Sequence, residues 1–179
     1  SYAAAELSKK NNDLKNLAKS YENLSACFGY EKNFEESNKV LRLALEIAEK
    51  IKDFRRIWSC KSNIAGNHLA LGNINRSEKL YIETLNISDQ LGLSDFKASS
   101  LSSIASVKNA KVDFQSTIKY RKQAFSLYKE IGEERFIIET AFSLGHDYFS
   151  VGDYSESIKY FDMAKLFYEK NGVKHMMAR

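Results

Sequence analysis

Apolar residues recur along this chain with the spacing of amphipathic helices, and short polar or glycine-containing stops interrupt them about every 20 residues. One such apolar run occupies positions 40, 41, 44, 45, 47, 48 and 51. Gly92, Gly132 and Gly172 mark one kind of stop, and Gly72 and Gly152 mark the other, because a residue that tolerates positive φ commonly ends a helix. The pattern predicts helices of about 16 to 18 residues that pack antiparallel to their neighbours.

The whole pattern repeats with a period of 40 residues. An aliphatic residue followed by a small one recurs as Leu24-Ser25, Ile64-Ala65, Ile104-Ala105 and Leu144-Gly145. A polar column that favours helix N-caps recurs as Asn33, Asn73, Asp113 and Asp153. Asn33 with Glu36, and Asp153 with Glu156, predict reciprocal capping boxes. Lys32 and Val112 replace the glycine before this column, so we expect those two turns to differ.

Two stops per period give two helices per repeat, and stacked repeats supply the core that one helix pair lacks. We therefore predict a single domain over residues 1–179. Its repeats are 12–51, 52–91, 92–131 and 132–171, preceded by the end of another repeat at 1–11 and followed by the start of a further helix at 172–179. These incomplete ends suggest a fragment of a larger protein.

The last repeat carries the most regular motif, which reads Leu144-Gly145, Tyr148, Gly152-Asp153-Tyr154, Phe161 and Ala164. These residues resemble the tetratricopeptide repeat (TPR), in the 40-residue form of spindle-orientation adaptors, kinesin light chains and bacterial TPR regulators. The resemblance implies an all-α, right-handed superhelical solenoid of antiparallel helix pairs, with about four repeats and partial repeats at both ends. The third repeat departs most from the motif, since Lys108 and Arg121 stand at normally apolar sites, and they indicate a kink or a contact surface.

The composition and charge of the chain narrow the kinds of partner and compartment that we expect. The net charge of +4 comes from basic residues interspersed with acids, so we expect no nucleic-acid partner. Tyrosines at positions 120, 128, 160 and 168 have the spacing of packing residues between repeats rather than of an RNA-stacking platform. No apolar stretch approaches the length of a membrane helix, so we expect no membrane insertion. Cys27 and Cys60 lie in apolar patterns without metal-ligand spacing, which predicts buried free thiols and fits a cytoplasmic protein.

Catalysis has weak support in the sequence. His68 replaces a core aromatic residue, which predicts a hydrogen-bonded core histidine. His146 has no cysteine or second histidine beside it, and His175 is expected to be solvated. Neither a glycine-rich phosphate loop nor a Ser/His/Asp arrangement is recognisable. We therefore expect no enzymatic activity, no cofactor and no metal.

The TPR resemblance implies that the first helix of each repeat lines a concave, partner-binding face. The candidate residues carried onto this sequence are Tyr30, Ser62, Asn63, Ser102, Asn109, Glu139, Phe142, His146 and Phe149. Phe142 and Phe149 would be apolar anchors for a peptide, or would instead pack against a following repeat. Asn63 would bond a ligand backbone, or would instead bridge neighbouring helices.

The leading hypothesis is a protein- or peptide-binding scaffold that uses this concave face. The alternative is a regulatory or sensor segment of a larger signalling enzyme or transcriptional regulator, of kinase, cyclase or quorum-sensing type. A third hypothesis is self-association through the ends of the solenoid.

Overall fold

Eight α-helices and no strand occupy residues 13–170, which are the residues that the computed structural model describes. The helices are α1 (Leu14–Tyr30), α2 (Phe34–Lys50), α3 (Phe54–Ala70), α4 (Ile74–Leu91), α5 (Ser94–Ala110), α6 (Phe114–Ile131), α7 (Glu134–Ser150) and α8 (Tyr154–Lys170). Each of the four predicted 40-residue segments thus contains two helices. The predicted segments 1–11 and 172–179, with His175, lie outside the described residues.

The helices fall into two compact units that divide between Leu91 and Gly92. In the first unit α1 packs on α2, α2 on α3 and α3 on α4. In the second unit α5 packs on α6, α6 on α7 and α7 on α8. Each unit therefore consists of two helix pairs in which every helix packs on the one that follows it in the chain.

A residue with positive φ separates each described helix from the next. These residues are Lys32, Lys52, Gly72, Gly92, Val112, Gly132 and Gly152. The prediction that the turns at Lys32 and Val112 would differ is wrong, because both residues hold a left-handed φ, 57° and 60°, as Gly72 and Gly152 do at 76° and 80°. The turn itself imposes this conformation: in each of these two turns the next amide, from Asn33 or Asp113, donates to a carbonyl five residues back in the preceding helix.

At two of these turns, only half of each predicted capping box forms. Asn33 Oδ1 accepts from the Glu36 amide at 3.3 Å, and Asp153 Oδ1 accepts from the Glu156 amide at 3.2 Å. The reciprocal half is absent, because the Asn33 amide already donates to the Phe28 carbonyl and the Asp153 amide is used in the same way. Each glutamate instead pairs with a lysine three residues further on. The predicted reciprocal boxes are therefore wrong, whereas the N-caps at Asn33, Asp113 and Asp153 are confirmed.

The two helices of a pair approach closely where the repeat has a small residue after the aliphatic one, as at Gly145. A Cβ atom at Gly145 would lie 2.6 Å from the ring of Phe161 on α8, and the Ser157 hydroxyl donates to the Gly145 carbonyl at 2.8 Å. Leu144, beside this glycine, is completely buried. The last helix pair therefore admits no larger side chain at this position without displacement of Phe161.

Two predictions about buried polar residues need correction. Cys60 is buried as predicted, but Cys27 is exposed. Residues at the equivalent position in later repeats contact the second helix of the preceding repeat, and no such helix precedes α1 within the described residues. His68 is buried, and that burial lowers the pKa of its imidazole, but its Nδ1 atom lacks the predicted hydrogen bond.

Replacing Val112 by glycine should stabilise the protein. Val112 is exposed and holds a left-handed conformation, which costs an L-residue about 1–2 kcal/mol, whereas the extra chain entropy of glycine offsets about 0.4–1 kcal/mol. We expect a net gain of about 0.5–1 kcal/mol in the free energy of unfolding, measured by urea denaturation. Val151→Gly is the matched control, because Val151 has a φ of −96° and should lose stability. Equal losses in both variants would contradict the assigned strain.

Candidate partner-binding site

In the second unit, α5, α6 and α7 line a pocket of about 280 Å³. It brings together two of the predicted site residues, Ser102 from α5 and Glu139 from α7. The full lining comprises Ser99, Ser102, Ser103, Ser106, Arg121, Tyr128, Phe136, Glu139, Thr140 and Ser143. The pocket therefore carries hydroxyl groups from all three helices, one guanidinium and one carboxylate.

The sequence of α5 creates the hydroxyl-rich wall. Its four lining serines recur at intervals of three and one residues, so they share one face of the helix. Leu101, Ile104 and Ala105 lie between them in sequence and are buried on another face. Because serine side chains are short, this face leaves open space beside α7.

Tyr128 and Phe136 form the aromatic part of the lining. Their rings stack with centroids 5.0 Å apart and planes at 18°. Tyr128 is buried, and that burial raises the pKa of its hydroxyl to about 12. The hydroxyl is therefore neutral at physiological pH. The predicted packing role between repeats is confirmed for Tyr128.

A buried ion pair joins the third and fourth repeats. Arg121 Nε on α6 lies 2.5 Å from Asp147 Oδ2 on α7, and both residues are buried. Burial raises the pKa of the Asp147 carboxyl, and the opposing effect of Arg121 is smaller. The unusual Arg121 of the third repeat is thus buried and pairs with the fourth repeat inside the protein.

Sequence reasoning missed Asp147 and its equivalent in the second repeat, Asn67. Asn67 Nδ2 donates to Ser37 Oγ and to Asn38 Oδ1, both at 2.9 Å, on the second helix of the preceding repeat. The signal was a polar residue at the same repeat position, 67 and 147, opposite a polar residue in the preceding second helix. A comparison of the polar repeat positions in each first helix with those in the preceding second helix would have identified both contacts.

Glu139 stands at the exposed side of the pocket. Its Oε1 accepts from Arg135 Nε at 2.8 Å, one turn earlier on α7. Both side chains are largely exposed, so this pair contributes little to stability. Glu139 therefore remains free to exchange its partner.

Phe142 and His146 lie together, one turn apart on α7. Their ring centroids are 4.8 Å apart, and the Phe161 ring of α8 lies 5.5 Å from Phe142 and 5.1 Å from His146. Phe142 remains 49% exposed despite these contacts. Phe142 precedes the lining residue Ser143 in sequence, but Phe142, His146 and Phe161 are not themselves among the lining residues.

The remaining predicted residues of the second unit lie apart from the pocket lining. Phe149 is 59% exposed and contacts Tyr154, with ring centroids 5.6 Å apart. Asn109 is exposed in the last turn of α5. Neither residue belongs to the pocket or to the cluster of Phe142, His146 and Phe161.

In the first unit, Tyr30 is 90% exposed at the end of α1. Ser62 is half-buried and Asn63 is exposed on α3. The interpretation of Asn63 as a bridge between helices is not supported, because Asn67, one turn later, makes that contact.

An internal charge cluster joins α1 to α3 in the same unit. Arg56 forms an ion pair with Glu22, and Cys60 Sγ lies 3.7 Å from Glu22 Oε1. Burial, followed by the charge of Glu22, raises the pKa of the Cys60 thiol to about 12. The thiol is therefore protonated and unreactive at neutral pH.

Within residues 13–170, no group of three or more histidine, cysteine, aspartate or glutamate side chains could hold a metal ion. In the same part of the chain, no helix has the length and apolar character needed to cross a membrane.

The sequence matches no protein-family model, and it matches no curated protein. Solved structures do match. BtubC (BKLC) from P. vanneervenii superposes with a TM-score of 0.80 at 19% identity, over 93% of this chain and 69% of that one. A Rap protein complexed with Competence and Sporulation Factor gives a TM-score of 0.77 at 18% identity, over 92% and 52% of the two chains.

A third similar structure contains a tetratricopeptide repeat sensor. It is a Signal Transduction ATPase with Numerous Domains (STAND) protein with a tetratricopeptide repeat sensor, from Pyrococcus horikoshii. Its TM-score is 0.77 at 18% identity, over 90% of this chain and 26% of that one. The chain thus has the all-α, TPR-like helical-repeat fold that its sequence predicts, and it spans only part of the length of these similar proteins.

The Arg121–Asp147 pair gives a stability prediction. Arg121→Ala should lower the free energy of unfolding by about 3–5 kcal/mol, because it leaves the Asp147 carboxylate buried without a partner. The double variant Arg121→Met with Asp147→Leu should recover most of that loss, and Arg135→Ala, in an exposed pair, should cost under about 0.5 kcal/mol. Urea denaturation checks all three. A double variant as unstable as Arg121→Ala would contradict the pairwise account.

Proposed function

We propose that this protein is a non-enzymatic scaffold that binds another protein or a peptide through the first-helix face of its repeats. The observation that supports this most is the open pocket between α5 and α7, together with the exposed Phe142 and His146 on the same helix α7. Interfaces commonly combine a few aromatic anchors with surrounding hydrogen-bonding groups. The face around Glu139 and Phe142 offers both.

Each part of this face has a distinct role in binding. The serine hydroxyls of α5 would hydrogen-bond the backbone of an extended peptide, since hydroxyl groups both donate and accept. Phe142 and His146 would supply the apolar anchor, because both rings leave surface uncovered beside Phe161. In the second unit, Asn109 and Phe149 would extend the contact to a longer partner. In the first unit, Tyr30, Ser62 and Asn63 are candidate partner contacts considered by themselves.

The lining favours binding over catalysis. The Tyr128 hydroxyl has a pKa of about 12, Arg121 is bound to Asp147, and Glu139 is exposed and paired with Arg135. A nucleophile needs an adjacent base held within hydrogen-bond reach, but no histidine lines the pocket and its one lining carboxylate, Glu139, is paired with Arg135. We further propose that the protein works in the cytoplasm. Its partners would be other proteins or peptides, and it would need no cofactor.

A second candidate is a regulatory or sensor segment of a larger signalling protein. The similar STAND protein contains a tetratricopeptide repeat sensor, and this chain covers 26% of it. The same groove would then bind a partner or peptide and pass that event to an attached output module. Both candidates require partner binding by the same face.

Selection of phage-displayed random peptides on the protein tests the binding face. We expect peptides of roughly micromolar Kd, near −8 kcal/mol, because a groove with a few anchors commonly reaches that range. Phe142→Ala and His146→Ala should each weaken these peptides about tenfold or more, since loss of an anchor costs at least about 1.4 kcal/mol. Fluorescence anisotropy measures the affinities, and circular dichroism checks helicity.

Ile158→Ala is the matched control, because Ile158 is a 61% exposed apolar residue on α8 outside the pocket and the aromatic cluster. It should leave peptide affinity unchanged. If the selected peptides bind all three variants as tightly as the parent, the face is assigned wrongly. Failure to select any peptide would count against the scaffold function itself.

A further inference from the structure

We propose that the pocket between α5 and α7 receives a carboxylate of the bound partner, and that the terminal nitrogens of Arg121 hold it. The proposal rests on the proposed function, because it names the chemical group that the same face recognises. It follows from which hydrogen-bond donors at this pocket are already used inside the protein and which are not.

Arg121 is buried but incompletely satisfied. A guanidinium has several N–H donors in one plane, and here the Nε group alone is used, by Asp147 at 2.5 Å. No described residue accepts from the two terminal nitrogens, and Arg121 lines the pocket. Because the Nε edge is occupied, the end with two parallel donors is left for a ligand. That end matches the two oxygens of a carboxylate.

Hydroxyl donors surround the guanidinium. Ser106 and Ser143 donate to carbonyls of their own helices, at 3.2 Å and 2.9 Å. The side chains of Ser102, Ser103 and Thr140 form no hydrogen bond with another described residue, although they line the same pocket. The unused groups at the pocket are therefore a cation and three donors, which is the complement of an anionic acceptor.

The arrangement of charge favours a carboxylate over a phosphate. Asp147 offsets the Arg121 charge, but it is not among the lining residues. Glu139 does line the pocket and would repel a phosphate dianion more strongly than a carboxylate, which carries a single charge. Asp147 is thus a positioning residue that holds the Nε edge and aims the terminal nitrogens.

NMR titration of the folded chain with four probes tests the proposal. The first probe is an acetylated and amidated pentapeptide of alanine with a central glutamate, and the second carries glutamine instead. The third is penta-alanine with a free C-terminal carboxylate, and the fourth is inorganic phosphate. The readouts are the Arg121 Nε–H signal and the backbone amides of Ser102 and Ser103, at constant ionic strength.

We expect a carboxylate probe to bind about tenfold or more tightly than the glutamine peptide and to shift the Arg121 Nε–H signal. A response to the glutamate peptide identifies an internal acidic side chain as the source, and a response to penta-alanine identifies a chain terminus. Equal binding of the glutamate and glutamine peptides, stronger binding of phosphate, or no saturable shift with either carboxylate would overturn the proposal.

Variants separate recognition from folding. Arg121→Met with Asp147→Leu should abolish the preference for glutamate over glutamine, whereas Asp147→Asn should retain it, because Arg121 stays in the pocket. Lys159→Ala, which removes an exposed cation on α8, is the control and should leave the preference unchanged. If the double variant keeps the preference, Arg121 is not the receptor. Phage-selected peptides that bind irrespective of Arg121 would overturn this assignment while leaving the scaffold function intact.

Discussion

A left-handed residue between consecutive helices is the constraint on which the rest of each unit depends. It occurs every 20 residues from Lys32 to Gly152, in glycine, lysine and valine alike. In the turns at Asn33, Asp113 and Asp153, the residue after the left-handed one has two roles. Its amide donates to a carbonyl of the preceding helix, and its side chain accepts from an amide in the first turn of the next helix. Within each unit, one short turn therefore ends one helix, begins another and reverses the chain direction.

Regular turns of this kind determine which residues meet across a pair and across repeats. In the last pair they bring Gly145 against Phe161, where only a residue without Cβ fits. Across the third and fourth repeats they bring Arg121 to Asp147 and leave the serine face of α5 opposite α7. The pocket is thus a consequence of repeat geometry combined with small side chains at a few positions in one repeat.

The fold could be predicted from sequence because its signals are local. The caps at Asn33 and Asp153 and the stops at the glycines each depend on neighbouring residues, and the described helices follow them. Val112 misled the prediction, since the turn imposes its conformation even on a β-branched residue. The site was predicted only in part: Ser102 and Glu139 follow from register, whereas the Arg121–Asp147 pair joins residues 26 apart in sequence. The exposure of Cys27 likewise depends on a neighbouring helix rather than on its own pattern.

We propose that partners bind the first-helix face of the second unit, at the pocket between α5 and α7. Chemical-shift mapping of the tightest selected peptide on the folded protein is the sharpest test of this proposal. We expect the largest amide shifts at Ser102, Ser103, Glu139 and Phe142, with residues such as Lys119 on α6 unchanged. Shifts concentrated on the second helices α6 and α8, with none at the pocket, would contradict it.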